Sequence, residues 1–143
     1  MAKMKAILVA VDGSDTSDRA VSHAIDLISA GLAAELHLLN VQPNLGGAIA
    51  SFVSREQIDA HHREEGEKGL VSAKALAKKA GIDAKVHIGV GRQGEIVGDF
   101  VEKLGAGLVV LGTRGHTGLA GVLLGSVAQD VIAYVKVPVT LVK

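Results

Sequence analysis

The chain is 143 residues long, the size of one domain with a single core, and 48% of it is hydrophobic, which excludes an intrinsically disordered protein. Lysine and arginine together number 15, as do aspartate and glutamate, so the chain lacks the net positive charge of a nucleic-acid-binding protein. Its aromatic residues are two phenylalanines and one tyrosine, too few for a surface that stacks on bases. The lack of cysteine excludes thiol catalysis, disulfides and thiolate metal sites. No run of residues suits a signal peptide or a membrane span, so we expect a cytoplasmic protein.

Short apolar runs alternate with segments of helical period along the whole chain, which is typical of a parallel α/β sheet. Strands are predicted at residues 6–11, 35–41, 84–90, 107–111 and 137–142. A long polar helix is predicted over residues 54–80, and residues 44–47 are interpreted as a loose connection. Three further helices carry an apolar stripe suited to lying flat on a sheet: Ala20, Val21, Ala24, Ile25 and Ile28 in the first, Ile96, Val97, Phe100, Val101 and Leu104 in the second, and Val127, Ala128, Val131, Ile132 and Val135 in the third.

The most informative segment is the buried strand at residues 108–111, which runs directly into Gly112 and Gly115. After nine intervening residues, Gly125 and Ser126 open an amphipathic helix. Glycines let backbone N–H groups approach a ligand closely, and a helix N-terminus presents unpaired N–H donors at the positive end of its dipole. This pattern predicts a cradle for a di- or triphosphate, to which Arg114 or His116 can add positive charge.

The spacing of Gly112, Gly115 and the Gly125–Ser126 pair resembles the nucleotide-binding signature of the universal stress protein family. The resemblance extends to residues 9–14, to the five strand–helix units and to residues 137–142, so it covers residues 1–143 as one domain. It implies an open, Rossmann-like five-stranded parallel sheet of order 3-2-1-4-5 with helices on both faces. That order would bring Asp12 and Gly112 to one crevice, where open parallel sheets bind ligands.

Members of the family that carry the glycine signature bind ATP, so the resemblance implies ATP as ligand, alone or with Mg²⁺. It assigns Asp12 to the ribose or base edge and the Val41 backbone to adenine. The positions that match its phosphate and ribose contacts are Gly112, Gly115, Gly125, Ser126 and Val127, with Arg114 as a neighbouring cation. Ala10 departs from the family pattern, because many relatives have proline there.

Each of these residues also has a purely structural interpretation. The glycines can be turn residues with Ser126 as a helix cap, Asp12 can form an Asx-turn, and Arg114 and His116 can lie in a solvated loop. The sequence leaves ATP, AMP and a cyclic nucleotide open as ligands.

Three other signals are interpreted as structural. Residues 89–94 spell G-x-G-x-x-G, but no acidic residue follows at the distance a dinucleotide site needs, so turn glycines are predicted. Residues 121–126 lack the lysine of a P-loop. His61 and His62 point to different helix faces in charged surroundings, so we expect a solvated surface and no metal site. No nucleophile elbow and no Ser-His-Asp constellation can be assembled, and any hydrolysis should be slow.

The closing strand at residues 137–142 is predicted to lie at a sheet edge, where pairing with a second copy would cover it. The family resemblance implies the same homodimer, while a monomer protected by Lys136 and Lys143 is the alternative.

The leading hypothesis is a nucleotide-dependent sensor or adaptor that presents a nucleotide-responsive surface to a protein partner. A ligand-free dimeric interaction module and a slow ATP hydrolase are the alternatives.

Overall fold

A computed structural model describes residues 4–114 and 124–143. Its five strands are β1 (Ala6–Ala10), β2 (Glu35–Gln42), β3 (Lys85–Val90), β4 (Ala106–Gly112) and β5 (Val139–Val142). They form one sheet in the order β3-β2-β1-β4-β5, and every neighbouring pair is parallel. The predicted strand order is therefore confirmed.

Helices cover both faces of this sheet. They are α1 (Asp15–Ser29), α2 (Gly47–Ala50), α3 (Arg55–Lys79), α4 (Gln93–Leu104) and α5 (Ser126–Tyr134). Alternate residues of β1 project to opposite faces: Ile7 and Val9 join the core under α1 and α3, while Leu8 lies in the core under α4 and α5. Apolar runs buried on both faces are what a parallel sheet requires.

The ends of the helices follow from short-range chemistry. Ser14 caps α1 by accepting a hydrogen bond from the Ser17 backbone N–H at 3.2 Å. Ser54 and Gln57 cap α3 reciprocally, with Ser54 Oγ accepting from the Gln57 N–H and Gln57 Oε1 accepting from the Ser54 N–H. Gly105 ends α4 in the left-handed region, at φ 65°, which glycine adopts without steric cost. Each of these residues thus fixes the point at which its helix begins or ends.

Several predictions about these elements are wrong in detail. The short helix α2 was not predicted and begins at Gly47, the last residue of the loose connection. β1 ends at Ala10, one residue early, and β5 begins at Val139, two residues late. The stripe of α5 is narrower than predicted: Val127 and Ile132 are 41% and 44% exposed. The reason is that α5 packs mainly against α4 rather than flat on the sheet.

Asp130 fixes α5 against the start of α4. Its Oδ2 accepts a hydrogen bond from the Gly94 backbone N–H at 2.7 Å, and its Oδ1 lies 2.8 Å from the Arg92 guanidinium. The Gly94 N–H and then Arg92 hold the pKa of Asp130 below its usual value. Gly91, at φ 144°, lies in the turn before α4, as predicted for these glycines. Gly94 instead lies within α4, where a Cβ would be 2.5 Å from the Asp130 carbonyl oxygen, so it is required for close packing against α5.

None of the helices in the described part of the chain is both long enough and apolar enough to cross a membrane.

Candidate functional site

The carboxyl ends of β1 and β4 meet the first turn of α1. The two strands are neighbours, with Val9 in register with Val110. A Cβ added to Gly112 would lie 2.6 Å from Cγ2 of Thr16, so β4 ends in close contact with α1. Residues about one hundred positions apart in the sequence therefore converge on one edge of the sheet.

Asp12 occupies a turn at this edge and is exposed. Its Oδ1 accepts a hydrogen bond from the Ser14 backbone N–H at 2.9 Å, which is the Asx-turn considered as the structural interpretation. Its own N–H donates to Ser17 Oγ at 3.2 Å, and Gly13 has φ 83°. Because an ionised carboxylate accepts several hydrogen bonds, this turn is compatible with contact to a ligand hydroxyl.

A short hydrogen bond joins the end of β4 to the start of α5. The Gly125 N–H donates to the Thr113 carbonyl oxygen at 2.6 Å, and a Cβ on Gly125 would lie 3.4 Å from Cα of Arg114. Thr113 is buried, and its N–H donates to the Val142 carbonyl oxygen of β5 at 2.9 Å. The segment at residues 112–114 thus lies directly beside the N-terminus of α5.

Among residues 4–114 and 124–143, no side chain caps the N-terminus of α5. Gly125 is the N-cap, at φ −69° and ψ 163°, and has no side chain to satisfy the N–H groups of the first turn. Ser126 and Val127 are exposed, and so is Arg114. Such an end combines N–H donors with the positive pole of the helix dipole, which suits an anion. Gly115 and His116 lie outside the described residues.

The backbone of Val41 faces the same edge of the sheet. The Leu39 carbonyl accepts a hydrogen bond from the Val11 N–H at 2.8 Å, so β2 directs the peptide groups of its odd-numbered residues toward β1. β1 ends at Ala10, and the peptide groups of Val41 therefore point into the space beyond it. The Val41 side chain is buried, and its carbonyl accepts a hydrogen bond from Gln93 Nε2 at 3.0 Å.

Asn40 is a residue of this edge that the sequence analysis missed. It is 4% exposed, and its Nδ2 donates to the Val11 carbonyl at 2.9 Å while its Oδ1 accepts from Gln42 Nε2 at 2.6 Å. A Cβ on Gly69 would collide with Nδ2, so α3 leaves room for this amide. The available signal was an amide residue between the apolar residues Leu39 and Val41 of a buried strand, since buried amides need partners.

The histidines of α3 differ from the prediction in one respect. His61 is exposed, but His62 is 6% exposed and its Nε2 lies 3.1 Å from the Pro43 carbonyl oxygen. His62 therefore anchors the connection after β2 rather than lying on a solvated surface. No cluster of three or more potential metal ligands occurs among residues 4–114 and 124–143.

Two cavities lined by described residues lie away from this edge. One, of about 400 Å³, separates α3 from β3 and is bordered by Arg63 and Ile88. The other, of about 390 Å³, lies beside α4 and is bordered by Asp99 and Tyr134. Residues 12, 41, 112 and 125 line neither cavity, so backbone geometry, and not these cavities, defines the candidate site.

The family model described as "Universal stress protein family" matches residues 3–143. The chain belongs to the universal stress protein family. Universal stress protein MJ0531 of Methanocaldococcus jannaschii is 37% identical over 142 residues, covering 97% of this chain and 82% of that protein. YxiE of Bacillus subtilis is 30% identical and covers 96% of this chain and 97% of its own length. Universal stress protein E of Escherichia coli is 31% identical, and the chain spans 40% of its length.

Solved structures of the universal stress protein family share the fold. Protein MJ0577 superimposes with a TM-score of 0.80 at 28% identity, covering 99% of this chain and 97% of that one. A universal stress protein in complex with cAMP gives 0.73 at 27% identity, with 99% of both chains covered. The Archaeoglobus fulgidus protein in complex with dAMP gives 0.71 at 26% identity, covering 99% of this chain and 100% of that one.

Proposed function

We propose that this universal stress protein binds ATP at the shared edge of β1, β2 and β4 and acts in the cytoplasm as a nucleotide-dependent sensor or adaptor. The observation that carries the proposal is the 2.6 Å hydrogen bond from the Gly125 N–H to the Thr113 carbonyl. It holds the glycine end of β4 against the N-terminus of α5, so the N–H groups of the first turn of α5 lie beside residues 112–114. Relatives at 26–27% identity that were solved with dAMP and cAMP support an adenine nucleotide as the ligand.

In this proposal the N–H groups of Ser126 and Val127 bind the phosphates, with help from the α5 dipole. Gly112 and Gly115 allow the backbone to approach the ligand, and Arg114 neutralises charge, with Mg²⁺ as a further counterion. At the other end of the ligand, Asp12 accepts hydrogen bonds from the ribose and the Val41 peptide groups meet adenine.

The proposal predicts that purified protein releases adenine nucleotide when it is denatured, as detected by ion-exchange chromatography of the supernatant. Protein stripped of nucleotide should bind Mg-ATP in calorimetry with a stoichiometry of one per chain. A blank extract together with no measurable heat for ATP, AMP and cAMP would leave the chain as a ligand-free interaction module.

We also propose that β5 pairs with its own copy in a homodimer. The Thr140 and Val142 peptide groups face β4, since the Thr113 N–H donates to Val142 and the Val109 N–H to Pro138. The N–H and carbonyl groups of Val139 and Leu141 therefore point to the free edge. Leu141 is 38% exposed, and a bare apolar edge favours pairing with another strand.

Leu141→Pro is predicted to convert the dimer to a monomer, because it removes an N–H from the free edge while leaving every bond to β4 in place. Leu141→Ala is the matched control, because it also removes the leucine side chain but keeps the backbone N–H. Sedimentation analysis at several concentrations measures the dissociation constant of each, and circular dichroism checks the fold. A monomeric wild type, or equal dissociation constants for the two variants, would refute pairing through β5.

A further inference from the structure

The turn between β3 and α4 closes over the carboxyl end of β2. The Gly91 N–H donates to the Gln42 carbonyl at 2.9 Å, and Gln93 Nε2 donates to the Val41 carbonyl at 3.0 Å. Gln93 is the first residue of α4 and is half-buried. A side chain from the third strand–helix unit thus reaches the strand end at which the base is proposed to lie.

The orientation of the Gln93 amide follows from chemistry. A carbonyl oxygen only accepts hydrogen bonds, so the atom facing Val41 must be the NH₂ group. Among the described residues, no donor contacts Oε1, and no buried side-chain polar atom lacks a hydrogen-bond partner. Oε1 is therefore accessible to solvent, beside the Val41 carbonyl.

Two hydrogen-bond acceptors consequently stand side by side at this strand end. The Val41 carbonyl retains a second lone pair, and Gln93 Oε1 retains both of its own. An exocyclic amine has two N–H donors and matches such a pair, whereas a base carrying a carbonyl oxygen at the same position would face two acceptors. A site built to bind an N–H group discriminates strongly against an analogue without it, because its polar groups are then left unpaired.

We propose that Gln93 is a specificity-determining residue that selects a purine with a 6-amino group over one with a 6-oxo group. This assignment rests on the nucleotide binding proposed above and adds to it a side chain that distinguishes adenine from hypoxanthine or guanine. Gln93 acts twice: Nε2 holds the Val41 carbonyl in place, and Oε1 accepts from the amine.

The test compares ATP with inosine triphosphate, which differs from ATP by an oxygen in place of the 6-amino group. Calorimetry on stripped wild-type protein should show at least about tenfold tighter binding of Mg-ATP than of Mg-ITP. In Gln93→Leu, which has a similar length and no hydrogen-bonding group, the ratio should fall to within about threefold, mainly through weaker ATP binding. Gln93→Ala should give the same ratio, and it replaces the leucine variant if the latter fails to fold.

Gln129→Leu is the matched control. Its Nε2 also holds a backbone carbonyl, that of Leu124, at 2.9 Å, but beside the proposed phosphate site. This variant should change ATP and ITP affinity by the same factor. An unchanged ATP-to-ITP ratio in Gln93→Leu, with ATP still bound, overturns the role of Gln93 alone. Wild-type protein that binds neither nucleotide overturns the proposed function and this inference together.

Discussion

Gly125→Asp is expected to weaken ATP binding by at least about 100-fold, equivalent to about 2.7 kcal/mol. The carboxylate would occupy the position proposed for phosphate, at the N-terminus of α5, and would repel the nucleotide. The fold should survive, because Gly125 has ordinary extended backbone angles that any residue can adopt. Aspartate is a favourable N-cap and complements the helix dipole, which offsets the tight contact of its Cβ with the Thr113 carbonyl oxygen, so stability should change by less than about 1 kcal/mol.

Gly125→Asn separates charge from size in this experiment. Both side chains have the same shape and both cap helices well, and both place a Cβ 3.2 Å from the Thr113 carbonyl oxygen. Calorimetry should therefore show a smaller loss of ATP affinity for asparagine than for aspartate, at similar urea midpoints. Equal affinities for wild type and Gly125→Asp would mean that phosphate does not bind at the start of α5.

A pair of histidines at the opposite end of the sheet is expected to make stability depend on pH. His37 on β2 is 3% exposed, and its Nδ1 lies 2.8 Å from Nε2 of His87 on β3. Glu35 contacts His37 Nε2 at 3.3 Å and Lys85 Nζ at 2.6 Å, while Lys103 on α4 adds a further positive charge near His87. Burial, and then repulsion from His37, Lys103 and Lys85, lowers the pKa of His87 below its usual 6.5.

The free energy of unfolding is therefore expected to fall as the pH drops below 6.5. The unfolded chain binds a proton at His87 that the folded chain resists, so stability rises with pH by up to about 1.4 kcal/mol per unit between the two pKa values. His87→Gln keeps a hydrogen-bonding partner for His37 but does not titrate, and its stability should depend less on pH. Urea unfolding at intervals from pH 8 to pH 5 measures both slopes.

At pH 8 the histidine is neutral, so the difference in free energy of unfolding between wild type and His87→Gln gives the packing cost of the glutamine. The effect of titration is then measured separately at lower pH. Parallel pH profiles for wild type and His87→Gln, offset by a constant, would show that His87 does not cause the acid sensitivity.

The fold could be predicted because its signals are local or repeated. Buried strands such as residues 6–10 carry apolar side chains toward both faces, and residues such as Ser14 and Gly105 mark helix ends through their own backbone chemistry. The exposure of Val127 and Ile132 could not be predicted in this way. An apolar stripe shows that a helix can be buried, but only the position of its neighbours decides how much of it is covered.

The close approach of residues 112–114 to the start of α5 was also predictable, since glycines before an amphipathic helix indicate close backbone approach. The contacts of Asn40 and Gln93 were not, because each depends on a hydrogen bond to a residue that is distant in the sequence. Asn40 reaches Val11 across 29 positions and Gln93 reaches Val41 across 52. Such pairs become neighbours only after the sheet has formed, and nothing in their spacing marks them beforehand.

The peptide groups on either side of Thr113 connect two surfaces. Its carbonyl is held by the Gly125 N–H and its N–H by the Val142 carbonyl, so α5 and the outermost strand are separated by one residue and two hydrogen bonds. A displacement of the helix start is expected to reorient the peptide group after Thr113, and through the Thr113 backbone the preceding peptide group, which bonds the last strand. Occupancy at one end and self-association at the other would then be thermodynamically linked, each changing the equilibrium constant of the other by the same factor.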